Sequence, residues 1–182
     1  MSISTKLILK VLYILCWIIF VGLGIEAGGI IFNIFYALAI NPAGAKSFWM
    51  QADLYALLSY DRGHFFVQGL LMAIVALSKA ILFYLIIKIL HDKKLNMSQP
   101  FNEALGSLLF TVSYLSVITG LFSIWGIRYS EWLAQKGVTM PRIEYLRLGG
   151  ADVWIFMGVI LFVIAHIFKR GIEIQTENEL TV

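Results

Sequence analysis

Four long runs of apolar residues constrain this chain more than any other feature of its sequence. The first extends from Leu7 to Ile40 and carries Glu26 deep inside it. The second, Phe65 to Leu90, is interrupted only by Lys79 and Lys88. The third, Ala104 to Ile127, and the fourth, Val153 to Phe168, have no Asp, Glu, Lys or Arg. A bilayer core about 30 Å thick needs about 20 helical residues, so each run is long enough to cross it, the fourth only just. Hydrophobic residues make up 60% of the 182 and charged residues 14%. A soluble fold of this size could not hide that much apolar surface in one core. A net charge of +3, spread along the chain, is too small to build a phosphate-binding face, which excludes direct binding of nucleic acid. The expected fold is all-α: an integral-membrane four-helix bundle forming a single domain over residues 1–182. The predicted spans are 7–34, 65–90, 104–127 and 150–168, with a tail at 169–182. The bilayer is then its first partner.

The run at Leu7–Ile40 exceeds one span, so it must tilt, break near Gly22, Gly24, Gly28 and Gly29, or continue beyond the membrane surface. Its apolar part is about twice a normal signal-peptide core, and we expect it to stay uncleaved. The bulky Leu15 before Cys16 argues against a lipid anchor there, and a lone cysteine makes no internal disulfide. Asp152, after Gly149-Gly150, is a candidate cap or first-turn acid for the last helix.

Four spans put both termini on one side. That side holds Lys6, Lys10, Lys88, Lys93, Lys94, Lys169 and Arg170, close to helix ends and in short segments. The other side holds Lys46, Arg62, Arg128, Lys136, Arg142 and Arg147. The positive-inside rule weighs short loops near helix ends, so the termini are expected in the cytoplasm. Two outer loops, 41–64 and 128–150, would then carry Phe48, Trp49, Tyr55, Tyr60, Tyr129, Trp132 and Tyr145. Trp125, Tyr129 and Trp132 recur at helical spacing. An aromatic belt at headgroup level accounts for this set, and a lidded pocket is the sharper alternative.

Charges inside lipid are costly, which makes Glu26 and Lys79 the first functional candidates. Lys79 lies about 14 Å beyond Lys88 along a helix, and Glu26 about 24 Å beyond Lys10. A direct pair between them is possible but stretched. They serve either as polar contacts between helices or as part of an ion pathway. Small-xxx-small spacing at Gly24 and Gly28 suggests close helix packing, and Ser116, Thr119 and Ser123, with Ser107 and Thr111 below, suggest hydroxyl contacts between helices. His64, His91 and His166 lack ligand spacing and no nucleophile has an evident base, so neither a metal, a cofactor nor catalysis is expected. His64 near Asp61 reads as an interface hydrogen bond. No internal repeat of the kind found in many transporters is visible, although an oligomer could build a pathway from several copies.

The ending Ile167-Phe168-Lys169-Arg170-Gly171-Ile172-Glu173-Ile174-Gln175-Thr176-Glu177-Asn178-Glu179-Leu180-Thr181-Val182 resembles that of a bacterial family of four-span membrane proteins, domain-of-unknown-function family 2975. The Pro100-Phe101 step that opens the third helix is similar as well. Asn178-Glu179 stands where the family pattern suggests Asn-Asp. The resemblance implies a bacterial inner-membrane protein of undefined activity. Members often sit beside a gene for a very small helix-turn-helix repressor of the Cro/CI type, which implies a non-enzymatic regulatory or sensing role toward such a repressor. The implied docking residues are Pro100, Phe101, Lys169, Arg170, Gly171, Glu173, Glu177, Asn178, Leu180, Thr181 and Val182. The tail would be disordered until bound, or packed beneath the helices. The competing reading is a small transporter or channel subunit that uses Glu26 and Lys79.

Overall fold

The computed structural model describes residues 5–91 and 102–180. Five α-helices account for most of them: α1 (Thr5–Phe35), α2 (Tyr55–Tyr60), α3 (Arg62–His91), α4 (Glu103–Gln135) and α5 (Ala151–Leu180). No β-strand occurs among the described residues. All helices but the short α2 are long and apolar enough to cross a membrane. The chain is thus a multi-pass membrane protein by the length and composition of its helices. α1 does not break at its glycines: it stays helical to Phe35 and loosens only in a π-helical turn, Tyr36–Ile40.

The long helices pack in chain order, α1 against α3, α3 against α4 and α4 against α5. Among the described residues α1 and α5 make no comparable contact, so the bundle is open between them. Glycine permits the closest approaches. A Cβ on Gly158 would stand 2.6 Å from the Val117 side chain and 3.1 Å from the Ser113 carbonyl. A Cβ on Gly120 would stand 2.5 Å from Ile155 and 2.9 Å from the Ala151 carbonyl. At the same seam Ser113 donates to the Gly158 carbonyl at 2.8 Å. The spacing of Gly24 and Gly28 misled: both face open space, with nothing within 4 Å of an added Cβ. Spacing alone cannot tell which face of an apolar helix meets protein and which meets lipid, because lipid tails are as apolar as leucine.

The register between α4 and α5 shapes everything at the loop end, the end that carries residues 36–64 and 136–150. Gly120 faces Ala151, so α5 begins about 15 residues, or roughly 22 Å, short of the end of α4 at Gln135. Residues 136–150 descend along the bundle to bridge that offset. Leu146 and Leu148 are fully buried there, with Leu148 against Gly126 of α4. The other loop folds onto the same end. A 3-10 helix, Pro42–Ser47, is capped by Asn41, whose side chain accepts from the Ala43 amide. A tight turn follows through Met50 and Gln51, both at positive φ. Phe48, Leu54 and Leu57 leave this loop fully buried, and Phe48 meets Phe65 of α3 edge-to-face. The core therefore lies at the loop end, made from Ala27, Ile30 and Ile34 of α1, Ala37 of the π-helical turn, Phe65–Ala76 of α3, Leu133 of α4 and both loops. Phe48 belongs to that core rather than to a belt at the headgroups, whereas Tyr55, Tyr60 and Trp132 are exposed.

The loops expected at 128–150 and 169–182 are shorter than the sequence suggests. α4 continues eight residues past Ile127, and α5 stays helical through the tail to Leu180. Arg170 pairs with Glu173 one turn on, at 2.8 Å, and Thr176 bonds back to the Ile172 carbonyl, so local side-chain contacts extend the helix beyond its apolar part. We expect Gly158→Leu to force α4 and α5 apart and to cost about 1–3 kcal/mol. Gly28→Leu should be nearly neutral. Thermal unfolding of the two variants in one detergent checks the contrast.

Candidate functional site

Three charges from three parts of the chain converge beside the opening between α1 and α5. Glu26 lies on α1, on the face toward α3, and is 6% exposed. Lys79 lies on α3 and is half-buried. Arg147 comes from the descending segment, between the two buried leucines, with a left-handed backbone at φ +60°. Its guanidinium Nη2 stands 2.6 Å from Glu26 Oε2, a charge-assisted hydrogen bond. That bond holds the guanidinium still more firmly protonated than an ordinary arginine. Lys79 Nζ donates to the Arg147 carbonyl at 3.2 Å and stands 5.9 Å from the centre of the Trp154 ring on α5.

Non-helical backbone inside a membrane protein must find partners for its amides and carbonyls, since lipid offers none. Lys79 meets that requirement for the Arg147 carbonyl, while Glu26 holds the Arg147 side chain. The direct Glu26–Lys79 pair considered from sequence is replaced by a bridge through Arg147. In sequence Arg147 is one charge among several in a polar loop, and its role, like those of Trp154 and Ser113, is visible only in the folded chain. One signal was available: a lone arginine between two leucines, just before Gly149-Gly150.

The other candidates fall elsewhere. His64 donates its backbone amide to Asp61 Oδ1 at 2.7 Å, and its ring Nδ1 lies 2.6 Å from the Tyr129 hydroxyl. Tyr60 stacks on the same imidazole and Trp132 meets it edge-on, which gathers the loop-end aromatics into one cluster. His91 Nδ1 lies 3.1 Å from the Tyr13 hydroxyl, and His166 packs against Phe110 and Phe162. Ser116, Thr119 and Ser123 are fully buried on α4. Ser116 and Thr119 bond back to carbonyls of their own helix, so the hydroxyl that crosses between helices is that of Ser113. Ser107 and Thr111 are exposed.

At the opposite end, which holds the termini, Lys169 and Glu173 border a cleft of about 320 Å³ together with Glu103, Gly106, Phe110 and Ile172. Asn102 caps α4 there by accepting from the Leu105 amide at 2.9 Å. Arg170, Gly171 and Glu177 follow along α5, and Asn178 and Leu180 complete the helix. Pro100, Phe101, Thr181 and Val182 lie outside the described residues. Among the described residues no group of three or more His, Cys, Asp or Glu side chains could hold a metal ion.

Removing either partner of the charged bridge leaves the other unpaired, so Glu26→Gln and Arg147→Gln should each lower stability by on the order of 2 kcal/mol. The double variant should lose less than the sum, and a double-mutant cycle by chemical unfolding measures the coupling. Additive losses would show that the bridge holds nothing in place.

Comparison with known proteins gives a family and no activity. No curated protein and no solved structure matches the chain. Residues 34–182 match a family described as protein of unknown function (DUF2975), a stretch that covers both loops, three of the four long helices and the tail. The chain belongs to the DUF2975 family.

Proposed function

We propose that this chain is a non-enzymatic membrane protein of the bacterial inner membrane, with both termini in the cytoplasm, that docks a small helix-turn-helix protein on its terminal end. The supporting observation is the continuation of α5 past its apolar part. Lys169–Glu177 continues as a helix past the start of α4, with Glu173, Ile174, Thr176 and Glu177 exposed and Ile172 turned toward Gly106 of α4. Such a helix offers one aliphatic side chain among carboxylates. This suits a groove with a basic rim, as on a DNA-binding domain. The tail is then ordered before binding, so a partner would meet a preformed helix with less entropy to lose.

The basic residues at the terminal end, Lys10, Lys88, Lys169 and Arg170, favour the cytoplasmic side. A transport pathway through Glu26 and Lys79 has less support, because both side chains are engaged in holding the descending segment.

Affinity purification from mildly solubilised membranes tests this reading. Full-length protein and a deletion of Gly171–Val182 would be compared by mass spectrometry. The expected result is a small helix-turn-helix protein recovered with the intact chain and lost with the deletion, while the deletion variant remains folded. Equal recovery with both chains would refute the proposal.

A further inference from the structure

The charged centre between α1 and α5 holds more positive charge than its bridge uses. Arg147 and Lys79 contribute two formal positive charges and Glu26 one negative, so the three side chains carry a net charge of +1. Glu26 is engaged by Arg147, and the hydrogen bond of Lys79 goes to a neutral carbonyl. The Arg147 side chain is 45% exposed, and its guanidinium has further N–H donors beyond the one directed at Glu26. An unbalanced cation amid apolar helices is costly unless an anion reaches it.

The position of the centre limits which anion that is. Along α1, Glu26 lies about 24 Å beyond Lys10; along α5, Val153 lies about 24 Å beyond Lys169. Both distances approach the thickness of the hydrocarbon core, which places the centre near the headgroups of the leaflet on the loop side. The Lys79 backbone is deeper, but a helical side chain leans toward its helix N-terminus, here the loop end, and a lysine can snorkel that way. Because α1 and α5 do not close against each other, the site opens sideways between two helices that expose Ile25 and Val153. The first turn of α5, which begins four residues after Arg147, carries Asp152, whose carboxylate offsets the positive potential of that helix end, so the cationic character of the site rests on Arg147 and Lys79.

We infer that this centre binds the phosphate of an anionic phospholipid through Arg147 and Lys79, with the acyl chains lying in the opening between α1 and α5. Glu26 holds Arg147 in place, and Trp154 flanks the Lys79 ammonium. The inference is independent of the docking function proposed for the opposite end of the molecule.

Native mass spectrometry of the full-length protein in a neutral detergent tests it, using titrations of short-chain phosphatidylglycerol, diacylglycerol with the same chains, and inorganic phosphate. One phosphatidylglycerol should bind per chain. Lys79→Gln should raise the half-saturating concentration about tenfold, equivalent to 1.4 kcal/mol, and Lys79→Arg should retain binding. Equal binding of diacylglycerol would overturn the inference by showing that the chains alone are recognised. Equal binding of inorganic phosphate would overturn the assignment to lipid. Unchanged affinity in Lys79→Gln would overturn the site itself. Should that variant fail to fold, raising the salt concentration on the wild-type protein makes the same distinction. Phosphatidylglycerol binding should weaken with salt, and insensitivity to salt would refute the inference.

Discussion

The fold depends on how a non-helical segment is held against helices that have no need of it. α5 starts well below the end of α4, and the chain between them must run back along the bundle. Its polar backbone can stay there only if something answers it. Leu146 and Leu148 supply the apolar contact, and Glu26 and Lys79 supply the polar one through Arg147. The three charges thus join α1, α3 and the segment that leads into α5. Each would be expensive alone in an apolar setting, and Glu26 reduces the cost of the two cations.

This arrangement divides the molecule into two unequal parts. At the loop end, both loops and three helices enclose a packed core with Phe48, Phe65, Leu54 and Leu57 at its centre. Toward the termini α1 and α5 are mostly exposed, as suits surfaces covered by lipid, while α3 keeps Leu82, Ile87 and Ile89 buried. α5 spans the division, beginning beside the charged centre and ending as a polar helix beyond its apolar part. The family match adds membership without an activity.

Much of this was legible in the sequence, and the failures have a common cause. The four membrane helices followed from run length and charge, because a span is a local property of about 20 residues. Glu26 and Lys79 stood out because charge in an apolar run is rare. Their partner did not, since Arg147 sits in a segment that reads as an ordinary polar loop. Gly24 and Gly28 carried a packing motif yet face open space, while Gly120 and Gly158 make the close contacts. The tail left two readings open, disordered until bound or packed beneath the helices, and Arg170–Glu173 and the Thr176 back-bond support a helix that continues from one already formed. Extending a helix avoids the cost of nucleating it, an advantage that composition does not register.

The sequence by itself determined the solvent of this protein, the number of its long helices and the family to which it belongs. Those properties depend on how residues are spaced along the chain, and spacing is all that a sequence records directly. Tertiary structure decided the register of α5 against α4, the descent of residues 136–150, and the meeting of Glu26, Lys79 and Arg147. That meeting joins residues 121 apart in the chain. Apolar helices can slide past one another with little change in local pattern, so only the packed glycine seams and the charged bridge fix which residues end up side by side.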